Sequence, residues 1–398
     1  MKSILLIYHF FYPDPVVSAR LFSDLAEFLV ENGFKVTVFT GDHLIRSTKI
    51  LASNEVWNGI KIQRFHRPNF SQGSNFGRLF NSAVLQLKWL AAIRKHRFDF
   101  DAIILGTDPQ FAYMMFPILR FLNRKIRLIH WVFDLYPEAI LVNSPKWMKT
   151  LAWFTKPFAK IAYKQVDDMI DIGTHMRKRL CSYHHAGRIQ TMTPWAIMEP
   201  DTVPESDPEI RKELFGNAKL GLLYSGTVGH AHNLAPFIEL ARECRRSQIN
   251  AAFCFAGYGN CFNAQISCLT PEDTNIRIAA FTDEKELQKR LSAADIHLIS
   301  LRPEWEGIVV PSKFFGALAI GRPILFSGPE KSEIAEWCTS LKLGWILSEK
   351  TVQEIKLQLL HPDQIKDMRQ HVFQCYHSQF SKRCVLQHWK DLLCETPR

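Results

Sequence analysis

Strand-and-helix alternation occurs twice along this chain, on either side of a segment that cannot continue either element. That segment, PWAIMEPDTVPESDPE, carries Pro194, Pro200, Pro204 and Pro208. Each proline removes a backbone donor and fixes φ, so an unbroken helix or central strand is excluded there. Before it, an apolar run at 3–8 predicts a strand. A helix follows, with Leu21, Leu25, Phe28 and Leu29 on one face and Gly33 as its stop, and KVTVFT at 35–40 predicts the next strand. Two strands joined by a helix form the unit that makes parallel sheets. Further strands are expected at 102–105, 126–132 and 169–172. After the prolines the pattern restarts, with strands expected at 220–225, 252–256, 276–280, 296–300 and 323–326 and helices at 234–245, 284–293 and 312–320. The expected fold class is α/β: two doubly wound, Rossmann-like domains at 1–204 and 205–379, with an amphipathic closing helix at 380–398.

A length of 398 residues suits two domains of about 200 residues each. The nine cysteines are scattered, odd in number and without a CxxC pair, which predicts reduced thiols and a cytoplasmic location. Lys2 precedes an apolar run of about nine residues with no small-residue cleavage site after it, so the opening is expected to be a strand rather than a signal peptide. The longest later apolar run, 112–119, falls short of the roughly 18 residues that span a bilayer. Charge is unevenly placed. Residues 1–200 hold 26 basic and 15 acidic side chains, +11, against +10 for the whole chain, so the second half is near neutral. A basic first half suits an anionic partner, although a solvated surface carries such charge equally well.

Several turns hold the residue types that ligand chemistry needs. In the stretch 304–325, EWEGIVVPSKFFGALAIGRPIL, Pro311, Ser312 and Lys313 open a short helix that ends at Gly321. Free N–H groups and a mobile ammonium at a helix start attract phosphate. The turn 226–233, GTVGHAHN, follows a buried strand, and Gly226, Thr227 and Gly229 let the backbone pass close to a ligand. A second glycine turn, AGYG, contains Gly257, and Phe281 and Thr282 precede a helix. In the first half, HWVFDLYPE places His130, Asp134 and Glu138 directly after a strand, where Asp134 can orient an acceptor hydroxyl or take its proton. Glu138 either serves there or starts the next helix. Ser18 and Arg20 end the loop PDPVVSAR, and Arg20 is equally an ordinary first-turn residue. Asp99 and Asp101 spell Asp-x-Asp but lead straight into a strand, so no metal site is expected. Trp147, Trp153, Phe154, Phe158 and Tyr163 interleave with Lys146, Lys149, Lys156, Lys160 and Lys164. That mixture predicts a membrane-facing amphipathic surface, or a core helix with lysines outward, rather than a nucleic-acid site.

The Pro-Ser-Lys segment followed by Ala-x-Gly-x-Pro, together with Trp-x-x-Asp-x-x-Pro-Glu at 131–138, resembles the family-four retaining glycosyltransferases of bacterial surface-polysaccharide assembly. The resemblance implies the GT-B architecture, with an acceptor-binding first domain, a nucleotide-sugar-binding second domain and a closing helix that returns to the first. It implies transfer of a hexose or N-acetylhexosamine from a nucleotide diphosphate sugar to a saccharide or polyprenyl-diphosphate-linked acceptor. The expected setting is the cytoplasm, peripherally at the anionic inner membrane. No cofactor beyond the donor and no nucleic acid is implied. Catalytic roles fall to Asp134, Lys313 and Glu306. Donor contacts fall to Gly226, Thr227, Gly229, His230, Gly257, Phe281, Pro311, Ser312 and Lys313, and acceptor contacts to Ser18, Arg20, His130 and Glu138. The chain departs from the family in two places: His230 stands where an arginine is common, and the usual glutamate pair falls on Ile308 and Gly316. Glu306 is the nearest substitute for the first glutamate, unless Glu304 and Glu306 are ordinary exposed loop carboxylates. An epimerase of the same fold and a non-catalytic nucleotide-sugar-binding homologue remain alternatives.

Overall fold

Short apolar runs set between a turn and an amphipathic stretch become strands buried on both faces, as at Ala102–Gly106 and Ile296–Ser300, whereas the edge strand Ile276–Ile278 is largely exposed. The computed structural model describes every residue except 1, 46–48, 69, 71–74, 184–186, 260, 281, 283 and 396–398. The chain divides into two units. Unit 1 holds the residues up to Thr193, the tripeptide Gly307–Val309 and the chain from Leu386 onward; unit 2 holds Pro194–Glu306 and Val310–Val385.

Unit 1 is built on strands β1 (Ser3–Ile7), β2 (Lys35–Gly41), β3 (Asn54–Trp57), β4 (Ile60–Phe65), β5 (Ala102–Gly106), β6 (Arg127–Trp131), β7 (Asp168–Asp171) and β8 (Arg188–Thr191). They form one eight-stranded sheet in the order β3-β4-β2-β1-β5-β6-β7-β8. Every pairing is parallel except that of β3 with β4. That hairpin was not expected. It turns on Asn58 and Gly59, both at positive φ, the conformation that a two-residue hairpin turn requires.

Unit 2 holds β9 (Leu220–Thr227), β10 (Ala251–Tyr258), β11 (Ile276–Ile278), β12 (Ile296–Ser300), β13 (Ile324–Ser327) and β14 (Gly344–Ile346). Its six strands run in the order β11-β10-β9-β12-β13-β14, all parallel. Leu222, Phe253 and Leu298 pack from the sheet against Phe237 and Ile238 of the helix Ala235–Arg246.

The unit boundary at Thr193/Pro194 precedes the 204/205 division expected from the sequence. The proline-rich segment is anchored in unit 2: Trp195 is 1% exposed, the Ala196 N–H donates to the Tyr376 hydroxyl at 2.8 Å, and that hydroxyl donates to Glu199 at 2.5 Å. Within unit 1, the end of the helix Lys382–Cys394 packs Trp389 against Trp131, with ring centroids 4.9 Å apart. Arg127 donates to the Leu392 carbonyl at 2.8 Å.

Candidate functional site

Strand order reverses once in each sheet, between β1 and β5 in unit 1 and between β9 and β12 in unit 2. Loops leave such a point in opposite directions, which opens a crevice at the carboxyl ends of the strands. Several of the candidate side chains lie near these two places.

In unit 2, Gly226, next to last in β9, has φ +118°, and a β-carbon there would meet Lys313 Cε at 3.1 Å. The Lys313 ammonium stands 5.2 Å from the centroid of the Tyr224 ring and 3.4 Å from His232 Nε2. His232 Nδ1 is held by the Ser300 carbonyl at 2.9 Å, so the Nε2 lone pair faces the ammonium. Arg302 Nε and Gln265 Nε2 both donate to the His232 carbonyl, at 3.1 and 3.0 Å. Burial pulls Lys313 down to about 8. His232 is pulled down to about 3, by burial first and then by the Lys313 charge. It is therefore a neutral hydrogen-bond acceptor at physiological pH. No carboxylate pairs with Lys313 among the described residues. A half-buried cation without a counter-ion, beside a glycine-lined strand end, is suited to bind an anion.

The expected donor residues are partly brought together. Gly226 and Lys313 meet, Pro311 is buried behind them, and Ser312 is the N-terminal cap of the helix Lys313–Ala319, with no capping bond from its hydroxyl. Thr227 is exposed, and a β-carbon at Gly229 would have nothing within 4 Å, so both border open space. His230 is exposed and faces Cys261 Sγ at 3.4 Å; the histidine that meets Lys313 is His232, two residues on. Gly257 is buried, and a β-carbon there would strike the Phe262 ring at 2.6 Å, so it makes room for packing. Phe281 lies outside the described residues. Glu306 is half-buried after the short turn Pro303–Trp305. Tyr224, His232, Ser300 and Arg302 were missed. The histidine pair of GHAH, ahead of the helix Ala235–Arg246, was the legible signal, without marking which of the two turns inward.

In unit 1, His9 Nδ1 and Asp108 Oδ2, 3.0 Å apart, bridge the ends of β1 and β5. Asp134, past the end of β6, is half-buried and pushed up to about 6, chiefly by burial and then by the Asp108 charge. Ser18 hydrogen-bonds the Tyr8 hydroxyl, which is within electrostatic reach of Asp108 and Asp134. Arg20 is exposed and lies 3.6 Å from Asp24 on its own helix, the ordinary-helix alternative. His130 does not reach the surface: it is 1% exposed, its Nδ1 meets the Leu105 carbonyl at 2.8 Å, and its ring stacks on Tyr163. The reason is its place inside β6, a central strand buried throughout. Glu138 begins the helix Glu138–Asn143, accepts from the Tyr183 hydroxyl at 2.5 Å and lies 3.8 Å from Lys156. Asp101 accepts from the Ser3 N–H at the amino edge of the sheet, and Asp99 sits 2.8 Å from His96. Asp42, His43 and His66 bring possible metal-ligand atoms within 4.8 Å of one another. Both imidazoles, however, already bond the Asp42 carboxylate, at 2.5 and 2.8 Å.

The helix Lys146–Tyr163 turns Met148, Ala152, Ala159, Ala162 and Tyr163 inward and leaves Trp147, Trp153, Phe154, Phe158 and Ile161 each more than half exposed. The core-helix alternative thus fails for four of its five aromatics. Phe121, on a neighbouring helix, is 82% exposed. No helix among the described residues is long and apolar enough to cross a membrane.

No protein-family profile matches the sequence. The chain is 23% identical over 291 residues to the probable glycosyltransferase WbjE of Pseudomonas aeruginosa, spanning 71% of this chain and 70% of that protein. The sucrose-phosphate synthase of Thermosynechococcus elongatus is similar in structure at a TM-score of 0.71 and 14% identity, covering 99% of this chain and 98% of its own. The trehalose-6-phosphate protein of E. coli bound with UDP-2-fluoro glucose has a TM-score of 0.71 at 12% identity over 100% of both chains. The catalytic domain of starch synthase IV from Arabidopsis thaliana, bound to ADP and acarbose, has a TM-score of 0.67 at 11% identity over 98% of both. The chain has the GT-B fold expected from its sequence, and the curated relative it matches is a probable glycosyltransferase.

Proposed function

We propose that this protein is a retaining glycosyltransferase that moves a hexose or N-acetylhexosamine from a nucleotide diphosphate sugar to a saccharide or polyprenyl-diphosphate-linked acceptor in surface-polysaccharide assembly. The observation that carries the reading is the uncompensated Lys313 ammonium against Gly226 at the strand-order reversal of unit 2. In this reading the donor diphosphate lies on Lys313 and the adjoining N–H groups. The sugar C1–O bond to the diphosphate breaks as a new C1–O bond forms to the acceptor hydroxyl on the same face. Lys313 stabilises the charge that gathers on the leaving diphosphate. Asp134 orients the hydroxyl and takes its proton, for which a carboxyl that titrates near neutrality is well suited. Glu306 is assigned to the transferred sugar, Gly229 and Thr227 to the nucleotide side. No metal is required, because the cation opposite the diphosphate is a side chain.

The lysine-flanked aromatic surface of Lys146–Tyr163 supports a place at an anionic membrane, where a polyprenyl-linked acceptor resides. The resemblance to WbjE supports the polysaccharide setting.

The test is a thermal-shift screen against UDP-, GDP- and dTDP-sugars, with product analysis of any that bind. A donor at 100 times its dissociation constant stabilises by about 2.7 kcal/mol. Release of free sugar or transfer supports the reading. A changed sugar still attached to its nucleotide would identify an epimerase, and binding without turnover a non-catalytic protein.

A further inference from the structure

Among the described residues, three buried side chains at the carboxyl ends of β4, β1 and β5 carry polar atoms without hydrogen-bond partners. Arg67, two residues past β4, is 5% exposed, and its Nε and Nη1 make no hydrogen bond. His9, two residues past β1, has an unpartnered Nε2, and Thr107, next after β5, an unpartnered Oγ1. All three strands are parallel, so these groups share one edge of the sheet. Buried donors are almost always satisfied, and a guanidinium is the costliest to leave unmet.

The nearby carboxylates do not meet this need. Asp42 and Asp108 lie within electrostatic reach of Arg67, and burial still holds the guanidinium below its ordinary range. Asp42 takes its hydrogen bonds from His43 and His66, and Asp108 from His9. The His9 ring packs against Gly41, where a β-carbon would stand 3.2 Å from His9 Cδ2. The carboxylates thus steady the guanidinium's charge while its Nε and Nη1 stay unmet among the described residues.

We propose that Arg67 binds an oxyanion of the acceptor, a phosphoryl group, at this sheet edge, where His9 Nε2, an acceptor while Nδ1 donates to Asp108, can take a hydrogen bond from a hydroxyl of the same ligand. The fork geometry of a guanidinium matches two phosphate oxygens, which a lysine could only meet as a point charge. Naming the ligand as the acceptor rests on the glycosyltransferase reading; the anion site itself does not. The phosphoryl group has two possible sources, a lipid-linked diphosphate or a free sugar phosphate.

Calorimetry of the full chain with geranyl diphosphate, a soluble polyprenyl diphosphate, tests this. Wild type, Arg67→Met, Arg67→Lys and Lys313→Ala are compared, and glucose 6-phosphate and glucuronate serve as second and third probes. Two sites are expected for geranyl diphosphate: Arg67→Met weakens one at least tenfold, and Lys313→Ala weakens the other. Arg67→Lys keeps the charge balance against Asp42 and Asp108, so it carries the test should Arg67→Met not fold; it is expected to weaken the same site about tenfold. Geranyl diphosphate bound through Arg67 more tightly than glucose 6-phosphate assigns the lipid-linked source, and the reverse order the sugar phosphate. Diphosphate binding unaffected by either Arg67 change overturns the inference and leaves the Lys313 assignment standing. If Lys313→Ala alone has no effect, the donor reading fails and the Arg67 site stands. Arg67-dependent binding of glucuronate but of neither phosphate would overturn the phosphoryl assignment.

Discussion

Lys313 lies across Gly226, so that a β-carbon on the glycine would stand 3.1 Å from the lysine Cε. The two residues are far apart in sequence, and each occurs in a turn that is weak evidence alone. Their meeting turns a glycine-rich strand end and a helix start into one site. Gly226 also holds φ at +118°, a conformation that side-chain-bearing residues rarely adopt.

Gly226→Ala should therefore displace the Lys313 side chain as well as strain the backbone, by about 1–2 kcal/mol for the dihedral alone. The expected result is donor affinity weakened about tenfold or more in a folded protein. Lys331→Ala, at an exposed position outside the proposed site, is the comparison and should bind the donor nearly normally. Calorimetry with the donor found in the screen checks both.

Turnover should fall as pH drops below about 6, because Asp134 must be ionised to take a proton and burial has pushed its pKa up to about 6. His232, pulled down to about 3, should add no limb between pH 5 and 8. Asp134→Asn should abolish the limb along with most activity. Stability responds in the opposite sense at the two groups. A carboxyl raised from 3.8 penalises the folded state once pH exceeds its unfolded value, so Asp134→Asn should stabilise at pH 7 and have little effect near pH 3. A buried neutral histidine costs stability as pH falls below its unfolded value near 6.5. Urea unfolding of wild type and His232→Asn at pH 5 and 7 should show the acid-side loss shrinking in the variant.

Much of the fold was legible because parallel strands buried on both faces print as apolar runs, and the helices between them as 3.6-residue periodicity. The hairpin Asn54–Trp57 and Ile60–Phe65 escaped because its strands, β3 on the sheet edge and β4 next to it, alternate in burial, although Asn58-Gly59 is a strong short turn signal. The site was legible only where chemistry and turn coincide, as at Lys313. His230 and His232 stand in the same loop, and sequence offers no means of telling which one turns inward. His130 shows the reverse limit: a polar residue beside a promising loop, one position inside a central strand, belongs to the core. Arg67 was invisible because the lack of partners for its Nε and Nη1 among the described residues is a property of packing.

Membrane binding should follow the helix Lys146–Tyr163. Vesicles containing phosphatidylserine should sediment the protein, less so as salt rises, since exposed charges are screened beyond about 8 Å at physiological ionic strength. Changing Lys149, Lys160 and Lys164 to Glu should release it; Lys156 is left alone because it lies near Glu138. Trp153→Ser with Phe158→Ser should weaken binding at every salt concentration. Equal sedimentation of all variants would remove the membrane from the account.

Transfer should continue in excess EDTA, because the charge opposite the diphosphate is supplied by the chain. Inactivation by EDTA, reversed by an added divalent metal, would direct attention to Asp42, His43 and His66.

The most direct test of the central claim is single-turnover transfer by Lys313→Ala. An ammonium that binds the diphosphate and stabilises its growing charge predicts roughly a 100-fold loss in turnover, since each 1.36 kcal/mol is tenfold and a charged hydrogen bond contributes about 1.5–3 kcal/mol. Lys313→Arg should recover only part, because a planar fork does not fit where a narrow alkyl chain passes Gly226. Lys331→Ala, at an exposed position, should be close to wild type. Full turnover and unchanged donor affinity in folded Lys313→Ala would contradict the account.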